Sequence, residues 1–178
     1  MHRLLAALAF ALPLSTFAQG YGGIGFGQTS LNGALDCDIA ATCDDEDSGF
    51  KIFAGYQVNK NFAVEGGFID LGQYTFSTPG LFSGSAEATS LFVHAVGIIP
   101  LGPQASLFGK FGIHMWDAEE SGQVFGAPFS ISDDGTDPSF GFGFQWDFGK
   151  FSARLEWEEY ELDDLDISLL GISGLIRF

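Results

Sequence analysis

The sequence predicts an all-β protein, an eight-stranded antiparallel up-and-down transmembrane β-barrel, and three observations support this class. Eight segments alternate large apolar residues with small or polar ones, which is the two-residue period of a strand. Glycine and charged residues occupy the face opposite the apolar one, whereas a water-soluble barrel would bury its apolar face. Short turns alternate with long polar stretches, an asymmetry typical of barrels in an outer membrane.

The first residues have the features of an export signal. Arg3 precedes an apolar run over residues 4–14, and the small residues Thr16 and Ala18 follow it. The pattern predicts a secretory signal peptide over residues 1–18, because the run is shorter than the about 20 residues of a membrane-spanning helix. Residues 19–178 are expected to form one outer-membrane β-barrel domain.

The first four predicted strands lie at residues 21–31, 50–58, 62–68 and 88–99. Each alternates a large apolar residue with a smaller or polar one, as Ile24 and Phe26 do with glycines in the first segment. The fourth has apolar residues on both faces, and we expect Leu91 and Val93 outside with Phe92 and His94 inside. Polar loops are expected at about residues 32–48 and 72–87.

The other four predicted strands lie at residues 107–115, 139–148, 151–158 and 168–178. Phenylalanine and tryptophan alternate with small or polar residues over 139–148. The last segment has a continuous apolar outer face that ends on Phe178. Polar loops are expected at about residues 117–138 and 161–166, and short turns at 59–61, 100–104 and 149–150.

Acidic residues dominate the charge of the chain. Asp and Glu number 23 against 7 Lys and Arg, for a net charge of −16, which excludes nucleic acid as a partner because phosphates require basic surface. The acids cluster in or beside the predicted outer loops, and the group at the end includes Glu158, Glu159 and Glu161. Solvation, divalent cations that bridge to lipopolysaccharide, and a high-salt habitat all explain this charge.

Cys37 and Cys43 are the two cysteines, separated by five residues in a polar stretch. In an exported chain this spacing favours a local disulfide, with free thiols as the alternative. A metal site is not expected there, because no further Cys or His is nearby.

Five charged or ionisable residues are predicted to share one layer of the lumen, because each faces inward about four to six residues from a short turn. They are Glu65, His94, Lys110, Arg154 and Glu156. Buried charges need partners, so we expect Glu65 to pair with Lys110 or Arg154. The layer is interpreted either as a structural plug or as a gate.

A catalytic site is a third interpretation. His114 and Ser139 are both predicted to face inward near the outer ends of adjacent strands, with Asp117 close in sequence. A base beside a nucleophile is the minimum for acyl transfer, but no nucleophile motif surrounds Ser139.

Aromatic residues near both ends of the strands predict two interfacial girdles. The outer set is Trp116, Tyr74 and Tyr160, and the inner set is Trp146, Tyr56, Phe62, Phe148, Phe151 and Phe178.

Several stretches carry a family resemblance: GKFGIHMWDAE at 109–119, ARLEWEEY at 153–160, Asp70-Leu71-Gly72 and the terminal aromatic strand. Together they resemble the transmembrane domain of outer membrane protein A and related eight-stranded outer-membrane barrels. The resemblance implies a lumen network that opens a narrow path when partners exchange. It also implies that the assembly machinery of the outer membrane recognises the strand ending at Phe178.

The expected role is structural or surface-interacting, with a lumen that is plugged or at most a narrow pore. A small-solute channel is the first alternative and a lipid-modifying enzyme the second. The expected partners are outer-membrane lipids, lipopolysaccharide and the assembly machinery, and the expected state is a monomer without a cofactor or structural metal.

Overall fold

A computed structural model describes residues 20–33, 42–44, 46–78, 80, 82–163 and 165–178. These residues contain nine β-strands of one antiparallel sheet. The strands are β1 Gly20–Gly33, β2 Thr42–Asp44, β3 Glu46–Asn59, β4 Phe62–Thr78, β5 Phe82–Pro100, β6 Ala105–Val124, β7 Ala127–Phe148, β8 Phe151–Leu162 and β9 Leu165–Arg177.

Eight of these strands close into a ring, so the predicted eight-stranded barrel is confirmed. Each long strand pairs with the next, and β1 pairs with β9 from Tyr21 opposite Arg177 to Gly33 opposite Leu165. The short strand β2 lies outside the ring and pairs with the outer part of β4. A closed ring leaves no unpaired backbone within the bilayer, which is the condition for crossing it.

Side chains alternate between lipid and lumen as predicted. Phe26 is 56% exposed and Ile172 is 66% exposed on the outside, whereas Phe53 is buried inside. The ambiguous fourth segment has the predicted parity, since Leu91 is exposed and Phe92 is buried. An apolar belt therefore surrounds the barrel, and small or polar residues fill much of its interior.

The predicted polar loops at 72–87 and 117–138 are wrong, because the described residues of both stretches belong mainly to extended, paired strands. The β4–β5 ladder continues to Thr78 opposite Phe82, and the β6–β7 ladder continues to Val124 opposite Ala127. Beyond the apolar belt the outward positions of these strand extensions are mostly polar, as Thr75, Glu87 and Asp117 are, so large apolar residues no longer alternate with small or polar ones. The loop predicted at 161–166 is likewise reduced to a turn between β8 and β9.

The outer extension of the barrel is asymmetric. β4, β5, β6 and β7 rise together as a wall, whereas β7 pairs with β8 only from Ser139 toward the short-turn end. At the other end the strands join through short turns at residues 60–61, 101–104 and 149–150. Short turns are periplasmic in barrels of this class.

A bulge in β4 marks the start of this wall. The β4–β5 register shifts between Asp70 and Gln73, with Gly72 at a φ of 90°. Asp47 of β3 lies above the apolar belt and accepts a 2.6 Å hydrogen bond from the Gln73 backbone N–H. This bond and one from the Ser48 backbone N–H lower the pKa of Asp47 from its usual value.

We expect any larger residue at Gly112 to destabilise the barrel, because the backbone of β5 lies against this position. A Cβ at this position would lie 1.9 Å from the carbonyl oxygen of Val93 on β5. Gly112→Ala should lower the free energy of unfolding by about 1–3 kcal/mol or more, because it overpacks the contact with β5. Urea titration of the folded barrel in lipid vesicles measures the change. Gly109→Ala is the matched control on the same strand, because its Cβ would meet only the Gly141 carbonyl oxygen at 3.9 Å. Equal losses in the two variants would contradict the steric explanation.

Two predictions concern residues outside this description. Residues 1–18, the expected signal peptide, lie in the undescribed N-terminal part, and the proposed cysteine pair includes Cys37, which is also undescribed. In the described ranges no helix is long and apolar enough to span a bilayer.

Candidate functional site

Six charged side chains meet in the middle of the lumen, and each is at most 5% exposed. Three are cations and three are carboxylates, supplied by β3, β4, β6 and β8. They are Lys51, Glu65, Lys110, Arg154, Glu156 and Glu158, which we call the charge layer. The alternation of each strand points these residues inward, where only other side chains can replace their water.

Arg154 and Glu65 form one half of the charge layer. The Arg154 Nη1 lies 2.5 Å from the Glu65 Oε1, and the Arg154 Nε donates to the Gln145 Oε1 at 2.8 Å. The Tyr21 hydroxyl donates to Glu65 at 2.7 Å. The guanidinium also lies 4.7 Å from the ring centre of Phe108, a cation–π contact that fixes its plane.

Two lysines and two glutamates form the other half. The Lys110 Nζ lies 2.6 Å from Glu156 and 2.9 Å from Glu158, while the Lys51 Nζ lies 2.7 Å from Glu156 and also pairs with Glu158. The Tyr160 hydroxyl donates to Glu158 at 3.1 Å. Each carboxylate therefore meets more than one donor, as a buried charge requires.

The two halves are close enough to exchange partners. The Lys110 Nζ lies 4.0 Å from the Glu65 Oε2, at the limit of an ion pair.

The family model for the outer membrane protein beta-barrel domain matches residues 4–178. The chain belongs to this family. It is a protein of the outer membrane, and the predicted resemblance and location are confirmed. No curated protein sequence matches the chain.

Solved structures with the same fold come from several bacteria. Ail, the attachment invasion locus protein of Yersinia pestis, is 23% identical with a TM-score of 0.62, and the match covers 92% of this chain and 100% of Ail. Neisserial surface protein A is 11% identical with a TM-score of 0.61, covering 89% and 97%. The N-terminal barrel of Pseudomonas aeruginosa OprF is 11% identical with a TM-score of 0.54, covering 90% and 98%.

The charge layer of this outer membrane β-barrel includes two residues that sequence analysis did not assign to it. Lys51 and Glu158 both face inward by their parity, although Glu158 also belongs to the acids expected in or beside the outer loops. Both are buried in the lumen. The alternation of β3 and β8 was the signal that could have included them.

His94 lies beside the charge layer and forms no ion pair among the described residues. Its Nε2 is 2.7 Å from the Ser139 Oγ, and its Nδ1 is buried without a partner. It packs near the ring of Tyr160 on the outer side of the layer, and His114 packs against the same ring.

The His114–Ser139 pair of the enzyme hypothesis is not formed. The His114 Nδ1 lies 2.9 Å from the Ser90 Oγ, and its Nε2 donates to the Glu161 carbonyl oxygen at 2.8 Å. Asp117 faces outward and is exposed. His94 takes the place beside Ser139, but both residues are at most 1% exposed, so a substrate has no access to the hydroxyl in this conformation.

The predicted outer aromatic girdle is wrong. Trp116, Tyr74 and Tyr160 all face the interior and are at most 4% exposed. The reason is parity, since each occupies an inward-facing position of its strand. The inner set does face outward, and its exposed members are Tyr56, Phe62, Trp146, Phe148, Phe151 and Phe178.

Two cavities lie on opposite sides of the charge layer. A cavity of about 170 Å³ opens at the short-turn end, where Asp147 accepts hydrogen bonds from Ser152 and from Arg177 at 2.7 Å. A cavity of about 320 Å³ opens at the outer end, beside Trp116. Within the described residues no group of three or more His, Cys, Asp or Glu side chains could hold a metal ion.

Proposed function

We propose that this protein is a closed outer-membrane barrel with a structural or surface-interaction role. The observation that carries the proposal is the charge layer, in which six side chains at most 5% exposed cross the lumen between the two cavities. Eight strands enclose a space that side chains just fill. A hydrated solute would have to break several buried ion pairs to pass.

The surface-interaction role belongs to the outer end of the barrel. Every Lys and Arg after Arg3 lies either in the charge layer or at the short-turn end. Ail of Yersinia pestis has been solved with the heparin analogue sucrose octasulfate, but a sulfated ligand does not suit the acidic outer end of this chain. We infer that its surface partners are neutral or cationic.

The envelope supplies the remaining partners in this proposal. Outer-membrane lipids and lipopolysaccharide surround the apolar belt, and the assembly machinery recognises the strand that ends at Phe178. That residue is 71% exposed on the lipid side, and its backbone N–H donates to the Gly20 carbonyl oxygen at 3.0 Å.

A gated narrow pore is the second candidate, and one observation favours it. The Lys110 Nζ already lies 4.0 Å from Glu65, so a change of partner would need only a short movement of the ammonium group. Such a gate would pass small ions rather than sugars.

The test is the entry of a small sugar into proteoliposomes. Vesicles that contain the wild-type protein should take up arabinose at the rate of protein-free vesicles, measured by osmotic swelling, because the charge layer blocks the lumen. Swelling as fast as that of vesicles with an equal number of general porins would overturn the proposal. Vesicles with heat-unfolded protein serve as the control for leakage.

A further inference from the structure

The outer cavity of about 320 Å³ lies between the extended β5–β7 wall and the β8–β9 turn. Its apolar lining includes Trp116, Leu162 and Leu165, and three of its carboxylates are Glu120, Asp133 and Asp163. This volume is within the range of small-molecule sites, which combine an apolar lining with a few polar groups.

The aromatic floor of this outer cavity is held in place. The Trp116 Nε1 donates to the Asp137 Oδ2 at 2.6 Å, and the indole is 4% exposed. Gly135 lies opposite on β7, where a Cβ would come 2.5 Å from a ring carbon of Trp116. The absence of a side chain there makes room for the ring, so its orientation is fixed before any ligand arrives.

The charge around the cavity is uncompensated. None of its lining residues is Lys or Arg, and all basic residues after Arg3 lie in the charge layer or at the short-turn end. An anion would be repelled. A neutral apolar molecule would gain only contact with the floor, whereas a cation would also gain attraction to the carboxylates.

We propose that the outer cavity binds a small hydrophobic amine, with its ammonium group among Glu120, Asp133 and Asp163. Its aromatic or short alkyl body packs on Trp116, Leu162 and Leu165. This site goes beyond the proposed function, because it lies on the outer side of the charge layer and does not depend on whether the lumen is closed.

The experiment uses three matched probes and the full chain in lipid nanodiscs. 2-Phenylethylammonium, 2-phenylethanol and phenylacetate share one ring and differ in charge. Calorimetric titration, with protein-free nanodiscs as the blank, should give an affinity about tenfold higher for the ammonium than for the alcohol, and no binding of the carboxylate. Equal affinities for ammonium and alcohol would overturn the proposal, as would no binding of the ammonium at millimolar concentration.

Variants locate the site. Glu120→Gln combined with Asp133→Asn should reduce ammonium affinity about tenfold, because it removes two charges without changing side-chain size. Asp134→Asn is the matched control, since Asp134 is exposed next to Asp133 but does not line the cavity. Ammonium binding that is unchanged in the double variant, or equally reduced in the control, would place the amine elsewhere and contradict the proposal.

Discussion

Arg154→Met should lower the free energy of unfolding by about 3–5 kcal/mol, the cost of removing one partner of a buried ion pair. The substitution keeps most of the side-chain volume but leaves Glu65 with only the Tyr21 hydroxyl at close range and Lys110 at 4.0 Å. The carboxylate is 2% exposed, so water cannot replace the lost guanidinium. Urea titration of the folded barrel in lipid vesicles measures the change.

Arg177→Met is the matched control for this prediction. Its Nη2 lies 2.7 Å from the Asp147 Oδ1, close to the distance in the Arg154–Glu65 pair, but the Arg177 side chain is 28% exposed. Removing a pair so open to solvent should cost about 0–1 kcal/mol. Equal losses in the two variants would show that burial does not govern the energetics of these pairs.

The double variant Glu65→Ala/Arg154→Ala should raise the flux of small ions through the barrel. It removes one cation and one anion, so Lys51, Lys110, Glu156 and Glu158 remain as a balanced set. The charge layer loses two long side chains, and we expect an ion flux on the order of tenfold above wild type, because side chains alone fill so narrow a barrel. Dye-reported potassium entry into proteoliposomes measures it.

Asp147→Ala/Arg177→Ala tests whether any lost ion pair would have this effect. It removes an equivalent pair from the short-turn end and leaves the charge layer complete. Its flux should equal that of the wild type. An unchanged flux in Glu65→Ala/Arg154→Ala, with the barrel folded, would mean that the charge layer does not close the lumen.

The barrel and the facing of its side chains could be predicted from sequence because lipid makes the alternation strong. Within the apolar belt each strand places large apolar residues outside, as Leu91 and Phe26 show. Above the belt this contrast vanishes, so no alternation marks the continuation of the strands beyond Gln73 and Trp116. The expected outer girdle fails at Trp116 for a different reason, because the height of this residue along its strand suits an interface but its parity points it inward.

The charge layer could be predicted in part. Counting residues from the short turns predicts that four side chains lie at the same level of the lumen, namely Glu65, Lys110, Arg154 and Glu156. The structure places these four together. Lys51 begins farther up its strand and reaches the layer through its long side chain, while the strands are staggered against one another. The spacing of residues along one strand predicts neither the stagger between neighbouring strands nor how far a flexible side chain reaches.

Single-channel recording of the wild-type protein in a planar bilayer tests the central claim most directly. The claim is that six buried charges close the lumen between the two cavities. The wild-type barrel should show no steady open level at neutral pH, while Glu65→Ala/Arg154→Ala shows a stable one under the same voltage. A steady ohmic conductance in the wild-type protein, unaltered in that variant, would contradict the claim.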